Sequence, residues 1–147
     1  TVWVAITDAT QDNGCLKVIP GKHKKMLPHC PKTQTAIADG WINEADAKAL
    51  PVKAGSLVIL HPLIPHASLP NHTNGFRWSF DLRYNVTGQP TGRSHFPDFI
   101  AYSQSQPERV LQDWKEWRGL WETARRKLSN GEHIPIHRWQ SDAPFCA

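Results

Sequence analysis

Along this chain, strict alternation of apolar and polar positions gives way near residue 90 to apolar steps of three and four. The clearest alternation is at 76–84, where Phe76, Trp78, Phe80, Leu82 and Tyr84 interleave with Arg77, Ser79, Asp81 and Arg83. Period two predicts a strand with aromatics on one face and polar groups on the other. Val2 to Thr7 alternates β-branched residues with Trp3 and Ala5, predicting another strand. Asp12-Asn13-Gly14 is a turn, and Cys15 to Ile19 a short strand, so the opening reads as a hairpin with a long loop. Residues 22–31 form a basic, proline-punctuated loop. Residues 43–50 fit a short helix capped by Asn43 and stopped by Pro51. Lys53-Ala54-Gly55 turns the chain into an apolar strand, Ser56 to Leu60, and a proline-broken segment carries it on to His66.

Beyond Gly92 the period changes. Val110, Trp114, Trp117, Trp121, Ala124 and Leu128 form one stripe of an amphipathic helix over 107–129, with Pro107 near its start and Gly131 past its end. The tryptophans read as packing residues rather than a binding platform. A helix of this kind laid over the aromatic face of 76–84 would turn Arg77, Ser79, Asp81 and Arg83 toward a lumen, and polar lumens serve ligands. The fold class is mainly β. At 147 residues the chain is about one domain long. It opens on Thr1 in mid-strand, so the expectation is an N-terminally truncated single domain. Its β core covers about 1–90 and its helical and loop segment about 91–147.

Charge and cysteine content narrow the function classes. Lys plus Arg minus Asp plus Glu is 17 − 13 = +4, and the positives are dispersed, with Lys22, Lys24 and Lys25 as the tightest group. That pattern argues against nucleic acid and for small anionic molecules. No apolar run reaches the roughly 18 residues of a membrane span. Cys15, Cys30 and Cys146 are odd in number and irregular in spacing, which points away from a disulfide framework and toward a reducing, cytoplasmic setting.

The chemistry-bearing residues cluster around one turn. A hairpin centred on Asn71-His72 would place His66 opposite Arg77, with Ser68 on the same face as His66. The patch then combines a neutral metal ligand or base, a hydroxyl and a rigid two-pronged carboxylate binder. The plain alternative is a core-satisfying histidine beside a solvated strand arginine. Two other histidine sets are weaker. Cys15, His23, His29 and Cys30 fit no closed tetrahedral zinc spacing. His133 and His137 stand four apart, but Pro135 breaks any helix that would align them.

Asn13 to Lys24 (NGCLKVIPGKHK), Ala54 to His61 (AGSLVILH), His66-Ala67-Ser68, Pro70-Asn71 and Phe76-Arg77, in that order, resemble the phytanoyl-CoA dioxygenase-like family. The resemblance covers roughly residues 1–90, and residues 91–147 carry none. It implies a double-stranded β-helix (a jelly roll, cupin-like) and an iron(II)- and 2-oxoglutarate-dependent dioxygenase that hydroxylates a small organic substrate, with O2 consumed and ascorbate as a possible support. It further implies that His66 is the distal iron ligand, that Arg77 binds the far carboxylate of 2-oxoglutarate with help from Ser68, and that Trp3 lies beside the cosubstrate. Iron held by two histidines and one carboxylate keeps positions open for cosubstrate and oxygen. The far carboxylate calls for a fork-shaped cation.

One departure stands out. The family's other two ligands form a His-x-Asp motif upstream of Trp3, yet none of the eight histidines here has Asp or Glu two residues later. The expectation is that the motif lies outside this chain. The competing expectation is a non-catalytic β-helix domain that binds a carboxylate ligand, or a degenerate relative without iron.

Overall fold

The computed structural model describes residues 1–30, 36–91 and 96–131. Two compact units are built on Thr1–Tyr84 and Asn85–Ile136.

In the first unit, the described residues form the short strands β1 (Val2–Ala5), β2 (Leu16–Val18), β3 (His29–Cys30), β4 (Ala36–Ile37), β5 (Lys48–Leu50), β6 (Leu57–Ile59), β7 (His66–Ser68) and β8 (Ser79–Leu82). They form two three-stranded antiparallel sheets, ordered β6-β1-β8 and β5-β2-β7, and a small β3-β4 pair. The expected β1–β2 hairpin is therefore corrected. Each of these strands is the centre of its own sheet, with Trp3 beside Val58 and Asp81, and Leu16 beside Leu50 and Ser68. Period two reveals which face is buried, not which strand lies alongside.

The expected helix at 43–50 is also corrected. Asn43 does cap, its side-chain oxygen accepting from the Ala45 N–H at 3.2 Å, but only a single 3-10 turn follows, Glu44–Asp46. The chain then extends as β5, because an extended backbone sets Leu50 beside Leu16. Likewise the supposed loop 22–31 ends in β3.

The core is contributed by both sheets and their connections. Trp3, Ala5, Ala9, Cys15, Leu16 and Leu60 are buried together, with Val18, Leu50, Val52, Val58, Ile64 and Leu69 packed against them. The opposite face of β6-β1-β8 is apolar yet open: Ile59 is 79% and Phe80 60% exposed, and Phe76, Trp78 and Tyr84 are exposed as well. The alternation at 76–84 thus holds, but the aromatic side is the one turned away from this core.

Asp8 ties the β1 exit to the turn before β6. Its carboxylate accepts from the Ala54 N–H at 2.8 Å and from Lys53 Nζ at 2.9 Å. The Ala54 bond first, then Lys53, hold its pKa below the ordinary carboxylate value. A folded-state pKa that is depressed gives stability above the unfolded pKa of about 3.9, lost as pH falls through the lower folded value. Asp8→Asn should therefore melt below the wild type at about pH 7, and the gap should narrow as pH falls from about 4 through the lower folded value. Melting curves across that range check this; a pH-independent gap contradicts it.

In the second unit, a 3-10 turn, Pro107–Arg109, precedes the helix α1, Trp114–Asn130. The helix starts later than its apolar stripe suggests. Asp113 is the N-cap, accepting from the Lys115 N–H at 2.8 Å, and Gly131 ends the helix in an extended conformation. Trp121 packs against Phe96 and Trp117 at ring separations of 5.5 and 6.3 Å, but Trp114, Trp117 and Trp121 are all exposed and the buried residue of the helix is Ala124, so the core-packing role read from the sequence is corrected. Among the described residues, no helix is long and apolar enough to cross a membrane.

Candidate functional site

Arg77 lies just before β8, half-buried, and its guanidinium is held on three sides. Nε donates to the Gly14 carbonyl at 3.0 Å, one terminal nitrogen to Ser79 Oγ at 2.9 Å, and the other to Ser68 Oγ at 3.0 Å. The group sits over the Trp3 indole, 5.3 Å from the ring centroid, and Trp3 is 3% exposed. A solvated strand arginine would show none of this. A guanidinium has five N–H donors. Among the described residues these bonds use three of them and leave one on each terminal nitrogen. That remainder leaves spare donors on a fixed cation, the kind of group that binds carboxylates.

Ser68 and His66 share a face of β7, two residues apart. The His66 ring is exposed, and its Nδ1 lies 2.9 Å from the Ile64 carbonyl. A carbonyl only accepts, so Nδ1 is the donor in this contact, and Nε2 is the nitrogen left for another partner.

The four residues singled out from the sequence thus divide cleanly. Arg77, Ser68 and Trp3 are in direct contact as one group, and His66 stands on the same strand face as Ser68. The route to that proximity is different from the one expected. β7 and β8 do not pair; β7 runs beside β2 and β8 beside β1. The connection after Ser68 crosses from one sheet to the other, so Arg77 reaches Ser68 between sheets rather than across a hairpin. Sequence reasoning missed the Gly14 carbonyl and the Ser79 hydroxyl as anchors of Arg77. Asn13-Gly14 was legible only as a turn, although a glycine there, at φ +88°, signals a backbone that other residues avoid.

Of the three ligands that an iron(II) facial site needs, the described residues offer one candidate, His66. Among the described residues, no three His, Cys, Asp or Glu side chains converge on a common point. The zinc set fails too: Cys15 is a free, fully buried thiol in the apolar core, and the His23 ring lies against that of His61, tilted, at 5.1 Å. His95, His133 and His137 lie outside the described residues.

Comparison with known proteins gives a consistent picture. The family profile described as "Phytanoyl-CoA dioxygenase (PhyH)" matches residues 1–79. The chain is 37% identical over 150 residues to the mouse protein named phytanoyl-CoA dioxygenase, peroxisomal, covering 91% of this chain and 43% of that protein. Its human counterpart is 32% identical over 117 residues, covering 74% of this chain and 33% of the relative. A methylphosphonate hydroxylase of Gimesia maris is 29% identical over 96 residues, 65% of this chain and 36% of that enzyme. The chain thus spans about a third to less than half the length of these relatives. The mouse match covers too much of the chain to stop near residue 90, so the likeness continues into 91–147, where the sequence reading saw none.

Proposed function

Because the chain belongs to the phytanoyl-CoA dioxygenase family, we propose that it is part of an iron(II)- and 2-oxoglutarate-dependent dioxygenase that hydroxylates a small organic molecule. The observation that carries the reading is Arg77, fastened by Gly14, Ser68 and Ser79 and stacked on Trp3, with two donors left over for a carboxylate. The two sheets, each centred on one of the first two strands, support a jelly roll as the scaffold. The segment from 91 onward then continues the same partial domain.

In this reading Arg77 grips the far carboxylate of 2-oxoglutarate, Ser68 and Ser79 keep the guanidinium from rotating, and Trp3 forms a dry wall beside it. Fixing the fork in advance lowers the ordering cost of binding. His66 offers Nε2 to iron(II), and the other two ligands must come from residues beyond those described. Bound iron with 2-oxoglutarate and O2 supplies the oxidising power, and succinate and CO2 are the coproducts; ascorbate would keep the iron reduced. The names of relatives point to an acyl-CoA in one case and a phosphonate in another, and loops vary independently of the scaffold. The buried free thiol of Cys15 supports a reducing compartment, for which the cytoplasm is our reading.

The full-length protein should convert 2-oxoglutarate to succinate only when iron(II) is supplied, and a chelator should stop it. Tight 2-oxoglutarate binding with no succinate under any metal condition would instead favour the carboxylate-binding domain without catalysis.

A further inference from the structure

The strands on either side of Arg77 bring a second charged group to the same opening. The terminal nitrogens of Arg77 donate to Ser68 on β7 and to Ser79 on β8, so the guanidinium joins these two serines at one depth. β7 and β8 are each the last strand of their sheet. The chain runs into this bridge along β7 and out of it along β8. Two residues before Ser68, on the same face, is His66, and two residues after Ser79 is Asp81. Each lies about 6.5 Å beyond its serine, on the side away from the Gly14 turn that anchors Arg77. Asp81 is also the direct partner of Trp3 across β1 and β8, so its side chain leaves the strand on the face that carries the buried indole. A carboxylate and an imidazole thus flank the opening, one step outward from the guanidinium.

Asp81 is the one Asp or Glu in any described strand, and aspartate is disfavoured there by propensity. It is exposed, and among the described residues no hydrogen bond or ion pair engages it, not even with Arg83 two residues on. In the oxygenase reading, on which this inference rests, Arg77 takes the cosubstrate and His66 the metal, which leaves Asp81 for the third component. 2-Oxoglutarate cannot be its partner, since both ends of that molecule are carboxylates. We propose that Asp81 selects the substrate, and that the substrate carries a cationic group, such as a protonated amine, at the end that enters the site. A neutral group there would leave the carboxylate unmatched. An anionic one would be repelled, so Asp81 discriminates by repulsion as well as by attraction.

The test is calorimetric titration of the full-length protein, loaded with iron(II) and 2-oxoglutarate under argon, with hexylammonium and with hexan-1-ol, its neutral counterpart of similar shape. A hydrogen bond to a charged group is strong enough for hexylammonium to bind at least about tenfold more tightly. Asp81→Asn, nearly the same size, should remove that preference without weakening 2-oxoglutarate binding, and Asp81→Glu should keep it. Equal binding of the two probes by the wild type, or no binding of hexylammonium, overturns the proposal, as does a preference that survives Asp81→Asn. Weaker iron(II) binding by Asp81→Asn overturns it too, because Asp81 would then be a metal ligand. If Asp81→Asn does not fold, the two wild-type titrations decide. A wild type that binds no 2-oxoglutarate rejects the oxygenase reading itself, and this inference with it.

Discussion

Gly14→Ala should be among the most damaging single-methyl additions to this protein, lowering both its melting temperature and its affinity for 2-oxoglutarate. Gly14 sits at φ +88°, and a Cβ there would lie 2.7 Å from the Leu69 carbonyl oxygen, a backbone atom that cannot swing aside. The left-handed backbone costs a non-glycine residue about 1–2 kcal/mol, and overpacking adds about 1–3 kcal/mol. A combined loss of about 2–5 kcal/mol corresponds to a melting temperature lower by roughly 4–20 °C for a domain of this size. The functional part follows from the same atoms. The Gly14 carbonyl accepts from Arg77 Nε, so any shift of the turn loosens the guanidinium as well. Gly21→Ala is the control: Gly21 has φ +78° but nothing within 4 Å of its added Cβ. It should pay only the backbone term and leave cosubstrate binding alone. Equal melting curves and equal 2-oxoglutarate titrations for Gly14→Ala and Gly21→Ala would contradict the role given to the Gly14 turn.

What the sequence disclosed, and what it hid, follows from the range of each signal. Strands at 2–5, 16–18, 57–59 and 79–82 were legible because alternation is a local property, and so were the Asn43 cap and the helix of the second unit. Partner choice is not local. Nothing within Val2 to Ile19 says that β1 and β2 belong to different sheets, since that depends on β5 to β8 far along the chain. The same limit explains the fate of 43–50, where the need to set Leu50 beside Leu16 outweighed helix propensity. At the candidate site, His66, Ser68, Arg77 and Trp3 were singled out through residue type and resemblance. The resemblance also carried the proximity of Arg77 and Ser68, because hairpin arithmetic assumed a pairing that does not form. Gly14 went unnoticed as an anchor because its contribution is a carbonyl, which every residue possesses.

Arg77→Lys tests the centre of the account. Lysine keeps the charge but has one nitrogen, so it cannot donate to Gly14, Ser68 and Ser79 from three places and still present two parallel donors. A hydrogen bond to a charged group contributes on the order of 1.5–3 kcal/mol, and about 1.4 kcal/mol is one decade of affinity. The measurement is a titration of 2-oxoglutarate at saturating iron(II) against the full-length wild type and Arg77→Lys, with melting curves alongside. The account predicts a dissociation constant at least about tenfold weaker in the variant, with melting temperature reduced far less than in Gly14→Ala. An unchanged 2-oxoglutarate affinity in a folded Arg77→Lys protein would contradict it, and would remove Arg77 and its three anchors from the cosubstrate site.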